Sequence, residues 1–193
     1  MRLRLLALTV FAAVAIPAAA DDAAAEMRAL PPPVDLGIRN IRQETDVWCW
    51  AAVAQQVIAK RKGRSPPQCA LVAMVHGQFP SHCCPHYDRC AVPGSLGQIQ
   101  TLIRNFGQRS STLGPPTDAL TLYRSLRAGH PIILAIRNSP YSGHVVVLTG
   151  MTWVNGAAGP EAVLHVNDPL MVIPARLAWR DLVPRWRAAI VVY

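Results

Sequence analysis

The spacing of apolar side chains changes period along this chain, and each change marks an element. Residues 5 to 16 are almost wholly apolar, without alternation. Between 45 and 62, Trp50, Val53, Ala54, Val57 and Ile58 recur at the three- and four-residue spacing of one helix face. This predicts a first helix opening at Thr45 or Asp46, either able to cap it, and running to Lys62 before Gly63. Residues 65 to 94 are rich in Pro, Cys and His and read as loop, interrupted by a short apolar turn at "CALVAMV". Ser95 is placed to cap a second helix, with Leu96, Ile99, Leu102, Ile103 and Phe106 inward and Gly107 at its end. Thr117 is placed to cap a third, "DALTLYRSLRAG", closed by Gly129.

From residue 131 the period drops to two. "PIILAIR", "HVVVLTGMTWV", "AVLHVND" and "AAIVVY" are short β-branched runs separated by Gly, Asn and Pro. Between the last two, "PARLAWRDLVPRW" reads as one short helix. Helices first and an antiparallel sheet after them make an α+β fold in two layers.

Composition changes this picture at the N-terminus. Arg2 and Arg4 precede the apolar run, and Ala18-Ala19-Ala20 offers a small-residue cleavage site. The run is short for a membrane span, and Asp21 and Asp22 follow at once. The expectation is a cleaved signal peptide over 1–20, a secreted or periplasmic protein, and no stable membrane insertion afterwards. Residues 21–36, Ala- and Pro-rich, read as a flexible lead-in, and 37–193 as one domain. Without Arg2 and Arg4 the chain carries 17 basic against 11 acidic residues, a net of +6. These charges are scattered; the one run, Lys60-Arg61-Lys62, suits the negative end of a helix. A basic stripe with interleaved aromatics is missing, so a nucleic-acid partner is not expected. No cofactor is implied, and a monomer is expected.

Five cysteines divide into four and one. Cys69, Cys83, Cys84 and Cys90 lie within 22 residues, and Cys49 stands apart. Adjacent residues have Cα atoms about 3.8 Å apart, below the usual disulfide range, so Cys83 and Cys84 do not pair with each other. Two pairings stay open: 69–83 with 84–90, or 69–84 with 83–90. A zinc knot using His82 and His86 is the rival, but the paired C-x-x-C blocks of structural zinc sites are missing. In an exported chain the four read as two disulfides.

Cys49, in the first turn of the first predicted helix, then has a chemical reading beside the bland one of a small buried hydrophobe. Helix N–H groups and the helix dipole stabilise a thiolate there. Gln43, six residues earlier, can return an amide donor that joins the residue 49 N–H to stabilise an oxyanion. A general base is needed, and His144 of "SGHVVVL" stands where a turn enters a strand, a position also common for structural histidines.

Gln43-x5-Cys49-Trp50 on a helix, Gly143-His144 opening a strand and "VNDP" at 166–169 resemble the papain-like cysteine peptidases. The likeness is to their compact bacterial branches, the bacteriocin-leader-processing peptidases and the secreted effector proteases of plant pathogens. The resemblance covers residues 38 to 193. It implies Cys49 as nucleophile, His144 as general base then acid, Gln43 as oxyanion donor, and Asp168 or Asn167 as the residue orienting the imidazole. It also implies a protein or peptide substrate. Three features depart from the family. Cys49 and His144 are 95 residues apart, against about 130–150 in papain and the cathepsins. Val47-Trp48 stands where they have a Gly-Ser or Gly-Ala step. No ATP-binding transporter domain is attached, which speaks against a dedicated leader peptidase.

For the third residue, strand parity groups Val163, His165 and Asn167 on one face and Leu164, Val166 and Asp168 on the other. The second set is the more apolar and is expected to face the core with His144, so Asp168 is chosen. His165, ahead of it on the strand, is expected to face away from Cys49. His76, His82, His86 and His130 have nothing pairing them with the thiol. A secreted or periplasmic endopeptidase is the leading reading. A transpeptidase, deamidase or cell-wall amidase on the same triad, and a non-enzymatic disulfide-stapled binding module, are the alternatives.

Overall fold

The computed structural model describes residues 30–115, 118–137 and 143–193. The signal peptide, residues 21–29 of the lead-in and the Thr117 cap expected from sequence lie outside the described residues. Pro31 to Tyr193 form one compact unit. In chain order it contains β1 (Val34–Asp35), α1 (Cys49–Lys62), α2 (Gln68–Val75), the single turn α3 (Pro80–Cys83), a 3-10 turn (Tyr87–Cys90), α4 (Leu96–Asn105), β2 (Ser110–Leu113) and α5 (Ala119–Arg127). There follow β3 (Ile132–Arg137), β4 (Gly143–Gly156), β5 (Gly159–Asn167), β6 (Ala175–Ala178), a turn of helix α6 (Trp179–Leu182) and β7 (Trp186–Val192). The strands form one antiparallel sheet ordered β2-β7-β3-β4-β5-β6, with β1 added to β4.

Local chemistry explains several boundaries. Ser95 caps α4 in a full capping box: its side chain accepts from Gln98 N–H while the Gln98 side chain accepts from Ser95 N–H. Gly63 closes α1 in the left-handed region at φ 74°, where Lys60, Arg61 and Lys62 meet the negative helix end. The described cap of α5 is Asp118, whose carboxylate accepts from Thr121 N–H.

Other boundaries differ from the sequence reading. Neither Thr45 nor Asp46 caps α1; the helix begins at Cys49, and its N-cap Trp48 offers no side-chain hydrogen bond. "CALVAMV" lies in a two-turn helix, α2, because six of its eight residues are buried against the core. "PARLAWRDLVPRW" divides into edge strand β6, α6 and a 3-10 turn, since Ala175 to Ala178 pair with Val166 to Val163 of β5. Val34–Asp35, at the end of the expected lead-in, pairs with Met151 and Gly150.

The sheet is covered on both faces, one layer more than expected. Val145, Val147, Ile133, Ile190 and Val192 pack under α1, α2 and α4. Val146, Leu148, Leu134, Leu164 and Val166 pack with Leu122 and Leu126 of α5 and with Leu182. The alternation of these strand residues between two buried faces is why their sequences read as unbroken apolar runs. α1 packs across β4, over Val145 and Val147.

Candidate active site

Cys49 is the first residue of α1 and the one free thiol, half-buried. With no side chain capping the helix, the first-turn N–H groups and the positive helix end are directed at this position. The Trp residues on either side hold it there. Trp48 and Trp50 are 0% and 1% exposed, and their indole N–H groups donate to the carbonyls of Cys90 at 2.9 Å and Val92 at 3.2 Å. Trp48 also stacks at 5.2 Å on Tyr87, and a Cβ on Gly94 would run into the Trp50 ring. The segment they grip is stapled by Cys69–Cys84 and Cys83–Cys90, one of the two pairings the sequence left open. The four sulfurs are bonded in these two pairs. Indoles on both flanks of the cysteine thus lock the start of α1 to a cross-linked platform.

His144, the second residue of β4, is 6% exposed and pairs across the sheet with Ile136. Its Nε2 meets Asp168 Oδ1 at 2.7 Å. Cys49 acts on the same imidazole through its charge, and with Nε2 taken by Asp168, Nδ1 is the ring nitrogen left for the sulfur. Burial disfavours the charged ring. The Asp168 carboxylate, accepting from the ring, and the negative charges of Asp168 and Cys49 outweigh it and push the His144 pKa up to about 9. Asp168 is held below the usual carboxylate range. Burial acts against this, but His144, the N–H of Leu170 and the charge of Arg185 prevail. Leu170 N donates to the same Oδ1 at 2.9 Å, which fixes the carboxylate rotamer.

The two neighbouring candidates for third residue are separated by parity. Asp168 follows the end of β5 and meets His144 there. Asn167 points to the α1 face, 1% exposed, and donates to Ile38 O at 2.8 Å and Gln56 Oε1 at 3.1 Å. It does not bond to His144. Both faces are buried, so apolarity alone did not separate the two sets; strand parity relative to His144 does.

Gln43 lies beside this turn, its N–H donating to Pro169 O at 3.0 Å. Its side-chain Nε2 gives one hydrogen to Thr45 O at 2.7 Å, and the other has no partner among the described residues. Its Oε1 is buried without a hydrogen-bond partner among the described residues. His165 stands elsewhere, with Nε2 3.1 Å from Arg176 and 3.4 Å from Thr152 and Nδ1 3.7 Å from Asp35. Burial and the Arg176 charge lower its pKa against the pull of Asp35. His82 and His86 lie in the stapled segment, His76 ends α2, and His130 packs edge-on against Tyr193. A cavity of about 630 Å³ beside Trp153 and Trp179 contains none of the candidate residues.

Sequence reasoning passed over three buried or half-buried amides, Asn40, Gln56 and Gln68. Gln56 is 1% and Gln68 0% exposed. The available signal was Gln56 itself, a polar residue three positions after Val53 on the apolar side of α1.

A free cysteine at a helix start, whose charge acts on a strand histidine that a carboxylate orients, on an α+β frame, defines the class of thiol-dependent hydrolases with a Cys-His-Asp constellation. Residues 34–177 match the family model of the papain-like cysteine protease AvrRpt2, and the chain belongs to that family. It is a cysteine peptidase. Among solved structures, the peptidase domain of Streptococcus ComA, a bifunctional ABC transporter involved in a quorum sensing pathway, is similar in fold. Its TM-score is 0.56 at 16% identity, over 81% of this chain and 96% of that one. A double glycine motif protease from an AMS/PCAT transporter, solved with its leader peptide, gives 0.51 at 17% identity, over 82% and 94%. No curated protein matches the chain.

Proposed function

We propose that this chain is an exported endopeptidase that hydrolyses peptide bonds through a thioester on Cys49. The observation that carries the reading is the His144–Asp168 pair, Nε2 to Oδ1 at 2.7 Å, on an imidazole that also feels the charge of the free thiol Cys49 at the start of α1. The sulfur attacks the scissile carbonyl carbon, and the carbonyl π electrons move onto oxygen. The Cys49 N–H and the second amide hydrogen of Gln43 receive that oxyanion. On collapse the C–N bond breaks, and His144 gives its Nδ1 proton to the departing amine. Neutral His144 then takes a proton from water, whose oxygen displaces the thiolate and releases the acid. Asp168 keeps the Nε2–H in place throughout and stabilises the ring while it is positive.

A peptide substrate is supported by the solved AMS/PCAT protease of the same fold, which holds a leader peptide. Export is supported by Arg2, Arg4 and the apolar residues 5–16, together with two disulfides, which persist in oxidising compartments. The test is incubation of the purified protein, and of Cys49→Ala, with a denatured protein mixture, with and without a thiol-directed epoxide. New termini read by mass spectrometry should come from the wild type alone and vanish with the epoxide. Unchanged termini in Cys49→Ala would exclude the thioester route.

A further inference from the structure

Three side-chain amides that the chemistry above does not use form one continuous chain beneath the site. Gln56 stands seven residues after Cys49, about two helical turns, and so on the same side of α1. Its Nε2 donates to Ile41 O at 3.1 Å and Asn40 Oδ1 at 3.2 Å, and its Oε1 accepts from Asn167 Nδ2 at 3.1 Å. Asn167 Nδ2 also donates to Ile38 O at 2.8 Å. Asn40 Nδ2 donates to Asp168 O at 3.1 Å and Met171 O at 2.9 Å. Each amide has a main-chain carbonyl as acceptor, so its orientation is dictated: turned over, an oxygen would face an oxygen.

We propose that Asn40, Gln56 and Asn167 are positioning residues that lock the Asp168 turn and the Gln43 segment to the helix carrying Cys49. The route is short. Asp168 is held at its carbonyl by Asn40, and the residue before it by Gln56, while its carboxylate holds His144. The 38–44 segment, which carries Gln43, has no regular structure. It is tied instead at Ile38 O by Asn167, at Ile41 O by Gln56, and at Arg42 O and Glu44 N by the buried Gln68. Three elements that must meet to within a fraction of an ångström for acyl transfer come from residues 43, 49 and 168. The amide chain is where they are joined away from the reacting atoms. Buried polar groups of this kind are costly unless fully bonded, so they specify one relative placement of helix and strand. A purely apolar contact would hold the two together without choosing among small sliding shifts.

This inference rests on the triad reading, and the test separates the two. Asn40→Leu keeps the approximate shape and adds no charge, but removes the donor to two carbonyls and the acceptor for Gln56. Gln56→Met keeps the volume and removes both donors and the acceptor. Asp168→Asn serves as reference for the triad itself. The probe is a quenched peptide spanning a bond that the wild type cleaves in a denatured protein mixture. The His144 ring is titrated by NMR in the full-length, disulfide-bonded protein. Both amide variants should lower kcat about tenfold with KM within about twofold. They should also move the His144 midpoint down by about one pH unit from about 9, a unit of pKa being about tenfold in the equilibrium. A merely structural role would lower the melting temperature while the folded protein kept its His144 midpoint and kcat, and that result overturns the proposal. If Asp168→Asn is crippling while both amide variants are silent, the positioning role alone falls. If Asp168→Asn is itself silent, the triad reading falls and this one with it.

Discussion

Replacing Asp168 by Asn probes the site with the smallest change of shape. The amide oxygen can still accept from His144 Nε2 and from Leu170 N, so the 2.7 Å and 2.9 Å contacts have a geometric successor. What is removed is the negative charge. Of the influences that raise His144 to about 9, those of Asp168 and those of Cys49 work together against burial. With the carboxylate charge gone, burial gains weight and the ring titrates closer to its ordinary 6.5. At pH 8, a ring titrating at about 9 is about nine-tenths protonated, while one at 6.5 is about 3% protonated. The imidazolium that donates to the leaving amine is therefore depleted by up to about thirtyfold at pH 8 and scarcely at pH 5.5. The signs for stability follow. His144, with a raised pKa, contributes stability that is full below 6.5 and is lost as pH rises through about 9. Asp168, with a lowered pKa, contributes stability present above its ordinary 3.8 and lost as pH falls through its lower folded value. The assay is kcat against pH for both proteins on one cleaved peptide, with NMR titration of the His144 ring. A variant whose upper pH limb and ring midpoint match the wild type would refute the electrostatic role given to Asp168.

Four further outcomes are expected. His144→Ala should abolish turnover by about 10³-fold or more, the combined loss of base and acid; His165→Ala should retain most activity, and the opposite order in parallel assays would move the base to His165. Gln43→Ala should lower kcat by about 10²–10³-fold with little change in melting temperature; a collapse in stability instead would make its bond to Thr45 the purpose of the residue. Iodoacetamide applied to unreduced native protein should label Cys49 alone, and peptide mapping should recover the 69–84 and 83–90 links; label on any of those four residues would contradict the pairing. Trp48→Phe should keep the ring against Tyr87 but forfeit the bond to Cys90 O, lowering stability by about 1 kcal/mol in urea titration; no change would remove the indole N–H from the account of how Cys49 is held.

Several features were legible along the chain because the forces behind them act over a few residues. The Ser95 cap and its Gln98 partner are three positions apart, and the glycines after α1, α4 and α5 stop those helices through their own backbone freedom. The alternation that sets Asp168 apart from Asn167 is a property of one strand, but which of its two buried faces meets His144 depends on the pairing with β4. The lone cysteine followed from counting. Longer-range forces decided the remainder. α1 starts at Cys49 because two buried indoles tie that turn to residues 90 and 92, over forty positions away, and this outweighs the caps available at Thr45 and Asp46. The choice between two disulfide pairings depends on how α2 and the turns after it fold back, which no local rule contains. "ARLA" becomes a strand only because the edge of β5 offers it carbonyls and N–H groups to pair with. The sequence puts Gln56 on the apolar side of α1 but does not say what it bonds. Gln56 acquires its role only when tertiary packing withdraws it from water and leaves Asn40, Ile41 and Asn167 as its partners.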